Sequence, residues 1–171
     1  MSQKLMPITL SQLRPYYLPL ILALCVTLIA LGGSELADLI RFNRQAILQG
    51  QVWRLCSGHL AHLGWSHVWL NIGGLAVIWA LVGSCFTTRQ WLIILTGLAL
   101  GISLGLMIFN PKLSWYVGLS GVLHGMLVAG AVTEIRNGQH SGYALIILIA
   151  MKLIWEQLAG PLPGSEASAG G

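Results

Sequence analysis

Five apolar runs constrain this chain more than any other feature. Residues 16–33, 68–86, 90–109 and 113–133 contain no Asp, Glu, Lys or Arg, and residues 142–158 carry only Lys152 and Glu156. A helix needs about 20 apolar residues to cross a bilayer core, and a backbone there must satisfy its own hydrogen bonds, which helices do within one segment. Each run therefore reads as a transmembrane helix, and the fold class as an all-α, polytopic membrane helix bundle embedded in the lipid bilayer. Composition agrees, with 56% hydrophobic and only 8% charged residues, against about 25% charged in soluble domains. The first run follows Lys4 and Arg14, but its apolar part is longer than a signal-peptide core, so it is expected to be retained as a span.

The one long connection, residues 34–57, is polar and carries Glu35, Asp38, Arg41, Arg44 and Arg54, while the others are short turns at 87–89, 110–112 and 136–141. Lysine and arginine bias in the loops should set orientation. It is balanced here: Lys4, Arg14, Arg89 and Arg136 on the N-terminal side face Arg41, Arg44, Arg54 and Lys112 on the other. The net charge of +4 comes with no basic cluster interleaved with aromatics, so no nucleic-acid partner is expected. Cys25, Cys56 and Cys85 are scattered in or beside apolar runs and read as buried free thiols. Gly97, Gly101 and Gly105 repeat every four residues, and Gly118, Gly121, Gly125 and Ala129 every three or four, which predicts flat faces where neighbouring helices approach closely.

Against that background "GLSGVLHG", residues 118–125, places Ser120 between glycines. Asn110-Pro111 ends the third run and the chain re-enters through "KLSWYV", so the next helix is predicted to begin near Gly118 with Ser120 in its first turn. Unpaired N–H groups and the positive end of the helix dipole would stabilise an oxyanion there; alternatively Ser120 merely caps the helix. "WRLCSGHLAHLGWSHVWLNIGG", residues 53–74, adds His59, His62, His67 and Asn71 around the start of the second span. His67 and Asn71 are one helical turn apart on one face, and polar groups at membrane depth face a cavity or a partner. A zinc site is the competing reading. Apart from Cys56, however, no carboxylate or Cys/His pair at ligand spacing accompanies these residues, so neither a metal nor another cofactor is expected, and His59 and His62 read as structural hydrogen-bonding groups.

"WR" at 53–54, "HLAHLGWSHVWLN" with its HxxxN element from His67 to Asn71, and "GLSG" at 118–121 resemble the rhomboid intramembrane serine proteases, in matching order from about Gln51 onward. "GLSGVLHG" and the tail "KLIWEQLAGPLPGSE" further resemble the rhombosortase subgroup. The resemblance implies a single rhomboid-like transmembrane domain over residues 1–171, built as a six-helix bundle with a cytoplasmic N-terminus. It implies a bacterial inner-membrane location and a water-filled site open to the periplasm. Ser120 would be the nucleophile, with His67, Asn71 and the Ser120 N–H binding the oxyanion. Trp53 and Arg54 of the first loop, Gly118, Gly121 and Glu156 would flank or bind substrate. The implied substrates are surface or secreted proteins whose C-terminal transmembrane anchor follows a Gly-Gly motif; glycine favours the local unwinding that cleavage requires.

A serine needs an adjacent base. In the family this is a histidine on a sixth span, in an AHxxG context, and no residue here matches it. The chain is accordingly expected to be a fragment ending before the last helix, with five of six spans, and to be inactive alone. His124, four residues beyond Ser120 on the same side, is the in-chain candidate for a substitute base, although a histidine hydrogen-bonded in the core accounts for it more simply. Lys152 and Glu156, also four apart, read as a structural ion pair, or as placing Glu156 on the substrate path. The alternative function is an inactive rhomboid-like protein that binds transmembrane helices without cutting them.

Overall fold

The computed structural model describes residues 14–160 and 169–170. Lys4, counted above for orientation, and residues 161–166 of the tail that carries part of the resemblance lie outside that set. Helix α1 (Tyr17–Leu31) ends at Gly32 and turns by 119° into α2 (Gly33–Ile40). Strand β1 (Phe42–Asn43) and helices α3 (Arg44–Leu48) and α4 (Arg54–Ser57) follow. The long helices are α5 (Trp65–Val82), α6 (Thr88–Phe109), α7 (Ser120–Arg136) and α8 (Ser141–Ala159). Strand β2 (Trp115–Tyr116) precedes α7, and β3 is Ala169–Gly170. The strands make one antiparallel sheet in the order β1-β2-β3, pairing Phe42 with Tyr116 and Trp115 with Gly170.

Helices fall within all five expected runs with shifted bounds, but fewer than five of them are long and apolar enough to cross a membrane. By length and composition α5 with its extension to Cys85, α6 and α8 can each cross a membrane, and the bent pair α1–α2 brings the number among the described residues to four at most. The expected run 113–133 is helical only from Ser120, because 115–116 are taken by β2. At 1.5 Å per residue the 17 residues of α7 rise about 26 Å, short of a ~30 Å hydrocarbon core.

Helix α7 occupies the centre, packing on α5, α6 and α8. Its Val122, Leu123 and Met126 share one core with Leu75 and Trp79 of α5, Trp91 and Ala99 of α6, and Leu145 of α8. The small-residue face predicted on α7 is used: a Cβ at Gly125 would strike the Leu98 side chain, and one at Gly121 would come within 3.3 Å of Ile102 and of the Tyr116 hydroxyl. On the face predicted on α6, a Cβ at Gly97, Gly101 or Gly105 would meet nothing within 4 Å among the described residues. Leu98 and Ile102, which do pack on the core, each follow one of those glycines and so lie about 100° round the helix.

The connection 34–57 is not an open loop but a chain of short helices held by side chains that cap backbone carbonyls. Arg54 is buried, donating from Nε to Gln51 Oε1 at 2.7 Å and from Nη1 to the carbonyls of Asp38 and Arg41, both at 2.9 Å. Ser57 Oγ donates to Ile40 O at 2.6 Å. Arg44 closes the end of α6: Nε donates to Leu113 O at 2.9 Å, Nη1 to Met107 O at 3.0 Å, and Nη2 to Leu106 O and Asn110 O at 2.7 Å each. The last carbonyls of a helix have no intrahelical partner and carry partial negative charge, so a guanidinium answers both needs. The cysteines differ from expectation: Cys56 is exposed, and Cys25 and Cys85 are half-buried.

Arg44→Ala is expected to cost about 2 kcal/mol, the scale of hydrogen bonds made by a charged group. Arg44→Lys should recover only part of it, because an ammonium lacks the planar fork. Thermal unfolding of the two variants in detergent micelles checks both outcomes.

Candidate active site

Helices α5, α7 and α8 enclose a cavity of about 600 Å³. Its polar lining comprises His67 and Asn71 from α5, Ser120 and His124 from α7, and Lys152, Glu156 and Gln157 from α8, set among leucine and isoleucine side chains. The two motifs read in the sequence therefore face one space.

Ser120 is the first residue of α7. The N-cap is Leu119, which has no side-chain cap bond, so the Ser120 hydroxyl is not used as a helix cap. Before it, Gly118 has φ +113°, a conformation that L side chains rarely adopt. A Cβ there would also lie 2.8 Å from His67 Cε1 and 2.9 Å from Nε2. The turn leading to Ser120 is thus shaped for glycine and seated against the His67 ring. Tyr116, which the sequence reading passed over, donates its hydroxyl to Gly118 O at 3.1 Å, and its phenol faces the Ser120 side chain. Only an aromatic residue two positions before the GxSG element could have hinted at it.

His67 and Asn71 are both buried. Asn71 Nδ2 donates to His67 O at 2.9 Å, one turn back, while Asn71 Oδ1 and His67 Nε2 have no partner among the described residues. Burying a polar atom without a hydrogen bond is costly. In a cavity lined by a serine at a helix start, such atoms can meet a bound group. The amide keeps a second N–H beyond the one given to His67.

His59 and His62 play the structural roles expected of them. Ser103 Oγ donates to Leu55 O at 2.6 Å, so it accepts from His59 Nε2 at 3.1 Å, and the same nitrogen reaches Ala99 O at 3.0 Å. His62 Nδ1 donates to Leu60 O at 3.0 Å, and its ring meets that of His67 edge to face at a 4.8 Å centroid distance.

Several expected site residues stand elsewhere. Arg54 is committed to the carbonyls of the first loop, and Trp53 is exposed at its surface; neither lines the cavity. Gly118 and Gly121 shape the walls around His67 and Ile102 and do not themselves line it. Glu156 does line it. Both ring nitrogens of His124 are engaged, Nδ1 by Ser120 O at 2.6 Å and Nε2 by Lys152 Nζ at 3.0 Å, which leaves neither to take the proton of the Ser120 hydroxyl.

Burial, and then the neighbouring His67, bring the His62 pKa down to about 4 from an ordinary 6.5, partly opposed by the bond to Leu60. Between these values the unfolded chain binds the extra proton, so the contribution of neutral His62 is complete above about pH 6.5 and is lost as pH falls toward about 4. The thermal midpoint should therefore drop between about pH 7 and about pH 4.5, and drop less in His62→Gln, as a melting series of the two proteins would show.

No individual curated protein matches the sequence significantly. A family model does: the Rhomboid domain matches residues 49–168, which takes in the first-loop helix α4, the cavity and all three of the helices that enclose it. With that match and its long apolar helices, the chain is a multi-pass membrane protein belonging to the rhomboid family.

Proposed function

We propose that the protein is an intramembrane serine endopeptidase of the rhombosortase type. The observation that carries this reading is the joint presence of Ser120, His67 and Asn71 on one cavity, with the serine at a helix start. In it, Ser120 Oγ attacks the scissile carbonyl and gives up its proton to a base. The oxyanion is received by the Ser120 N–H, the free Asn71 N–H and a protonated His67 Nε2. Two or three donors aimed at one oxygen usually supply the largest single share of such a rate enhancement. The substrates on this reading are bacterial surface or secreted proteins with a C-terminal anchor after a Gly-Gly motif, cut from the periplasmic face of the inner membrane. Glu156 is the substrate-facing acid.

The base in this reading is the AHxxG histidine that the resemblance implies, and no histidine of residues 1–171 sits in that context. The engagement of both His124 nitrogens supports the second reading, a helix-binding protein that does not cut.

A fluorophosphonate probe applied to the protein in its native membrane should label Ser120. Labelling should vanish in Ser120→Ala and fall by about 10²- to 10³-fold in Asn71→Ala, the usual cost of one oxyanion donor. Absence of labelling in the unaltered protein would favour the non-cutting alternative. Purified residues 1–171 alone should leave a rhomboid substrate intact; Ser120-dependent cleavage by that polypeptide would contradict the missing-base reading.

A further inference from the structure

Beyond the serine and the proposed oxyanion donors, three side chains run as an unbroken polar chain along the same cavity. Lys152 Nζ donates to Glu156 Oε1 at 2.7 Å and to His124 Nε2 at 3.0 Å, and His124 Nδ1 lies 2.6 Å from Ser120 O. The chemistry of the two ends fixes the middle. A carbonyl oxygen can only accept, so Nδ1 carries the proton; an ammonium can only donate, so Nε2 is bare. His124 is thereby held as one neutral tautomer. Lys152 Nζ faces the Glu156 carboxylate at contact distance on the cavity wall. A merely structural i,i+4 pair would end at the two α8 residues, and Lys before Glu is the weaker order. Here the pair instead reaches across to α7 and terminates on the carbonyl of Ser120 itself.

We propose that Glu156 and Lys152 are positioning residues for Ser120, acting through His124. Glu156 anchors the Lys152 head group, Lys152 keeps His124 in its Nδ1–H form, and that N–H holds the Ser120 carbonyl, fixing the first turn of α7 relative to α8. The placement of Ser120 on the cavity wall it shares with His67 and Asn71 then depends on two residues of another helix. Only the role of Ser120 as nucleophile is taken from the proposed function.

Two measurements test the chain of bonds. Histidine-selective ¹⁵N NMR of the protein in lipid nanodiscs, with His124 assigned through His124→Gln, should show a single neutral Nδ1–H tautomer. In Lys152→Met that signature should give way to tautomer exchange, in Lys152→Arg it should persist, and in the milder Glu156→Gln it should weaken. Fluorophosphonate labelling of Ser120 should slow about tenfold in Lys152→Met, within the ~10² that a 1 Å misplacement can cost, and recover in Lys152→Arg. An Nε2–H tautomer in the unaltered protein, or a His124 signature indifferent to Lys152→Met, overturns the proposal. Labelling that proceeds at the unaltered rate in Lys152→Met overturns it too, while leaving the protease reading in place. If the unaltered protein is not labelled at all, the protease reading falls and the NMR signature alone decides the proposal.

Discussion

The structure depends first on the satisfaction of helix-end carbonyls where the chain leaves the membrane-crossing helices, and Arg44 carries most of that task. One guanidinium takes the carbonyls of Leu106, Met107, Asn110 and Leu113, while the Arg44 N–H takes Ser114 O at 2.9 Å. The segment so held leads directly into β2, Gly118 and Ser120. Arg54 and Ser57 do the same for the end of α2. The first loop is thus the frame against which the serine-bearing turn is set, and Gly118 N–H donating to Gly58 O at 3.3 Å joins the two.

The long helices were legible in the sequence because charge-free length is a local property, and so was the pairing of HxxxN with GxSG, which needs only two short motifs. The exact extent of the helices was less so. The helix start near Gly118 was legible from the Asn110-Pro111 break, but the strand at 115–116 was not, because it forms by pairing with Phe42 and Asn43, some seventy residues earlier. The same distance hid the role of Arg44, whose carbonyl partners lie 62 to 69 residues away. Glycine spacing signalled two packing faces, of which only the one on α7 meets a neighbour among the described residues; spacing shows that a face is flat, not what it faces.

Within the site, proximity in sequence was a poor guide to use. His124 shares a helix face with Ser120, yet its nitrogens are claimed by a backbone carbonyl and a lysine from another helix. His67 lies 53 positions from Ser120, yet its ring touches the turn that presents the serine. The histidines sort by what their nitrogens meet. His59, His62 and His67 each have one buried nitrogen without a partner among the described residues, but His59 is tied to α6 and His62 to its own loop through the other, and only His67 of the three lines the cavity.

Gly118 makes the placement of His67 a matter of contact rather than bonding. With only hydrogen on its α-carbon, the backbone comes up against the imidazole edge like a stop against which the ring rests, and the spacing between α5 and the start of α7 is set by atomic radii. Alanine at 118 would face two separate penalties, one of torsion and one of volume, and relieving either alone would not restore the fit. Tolerance to substitution at this position should accordingly be narrower than at any of the glycines along α6, whose absent side chains border empty space.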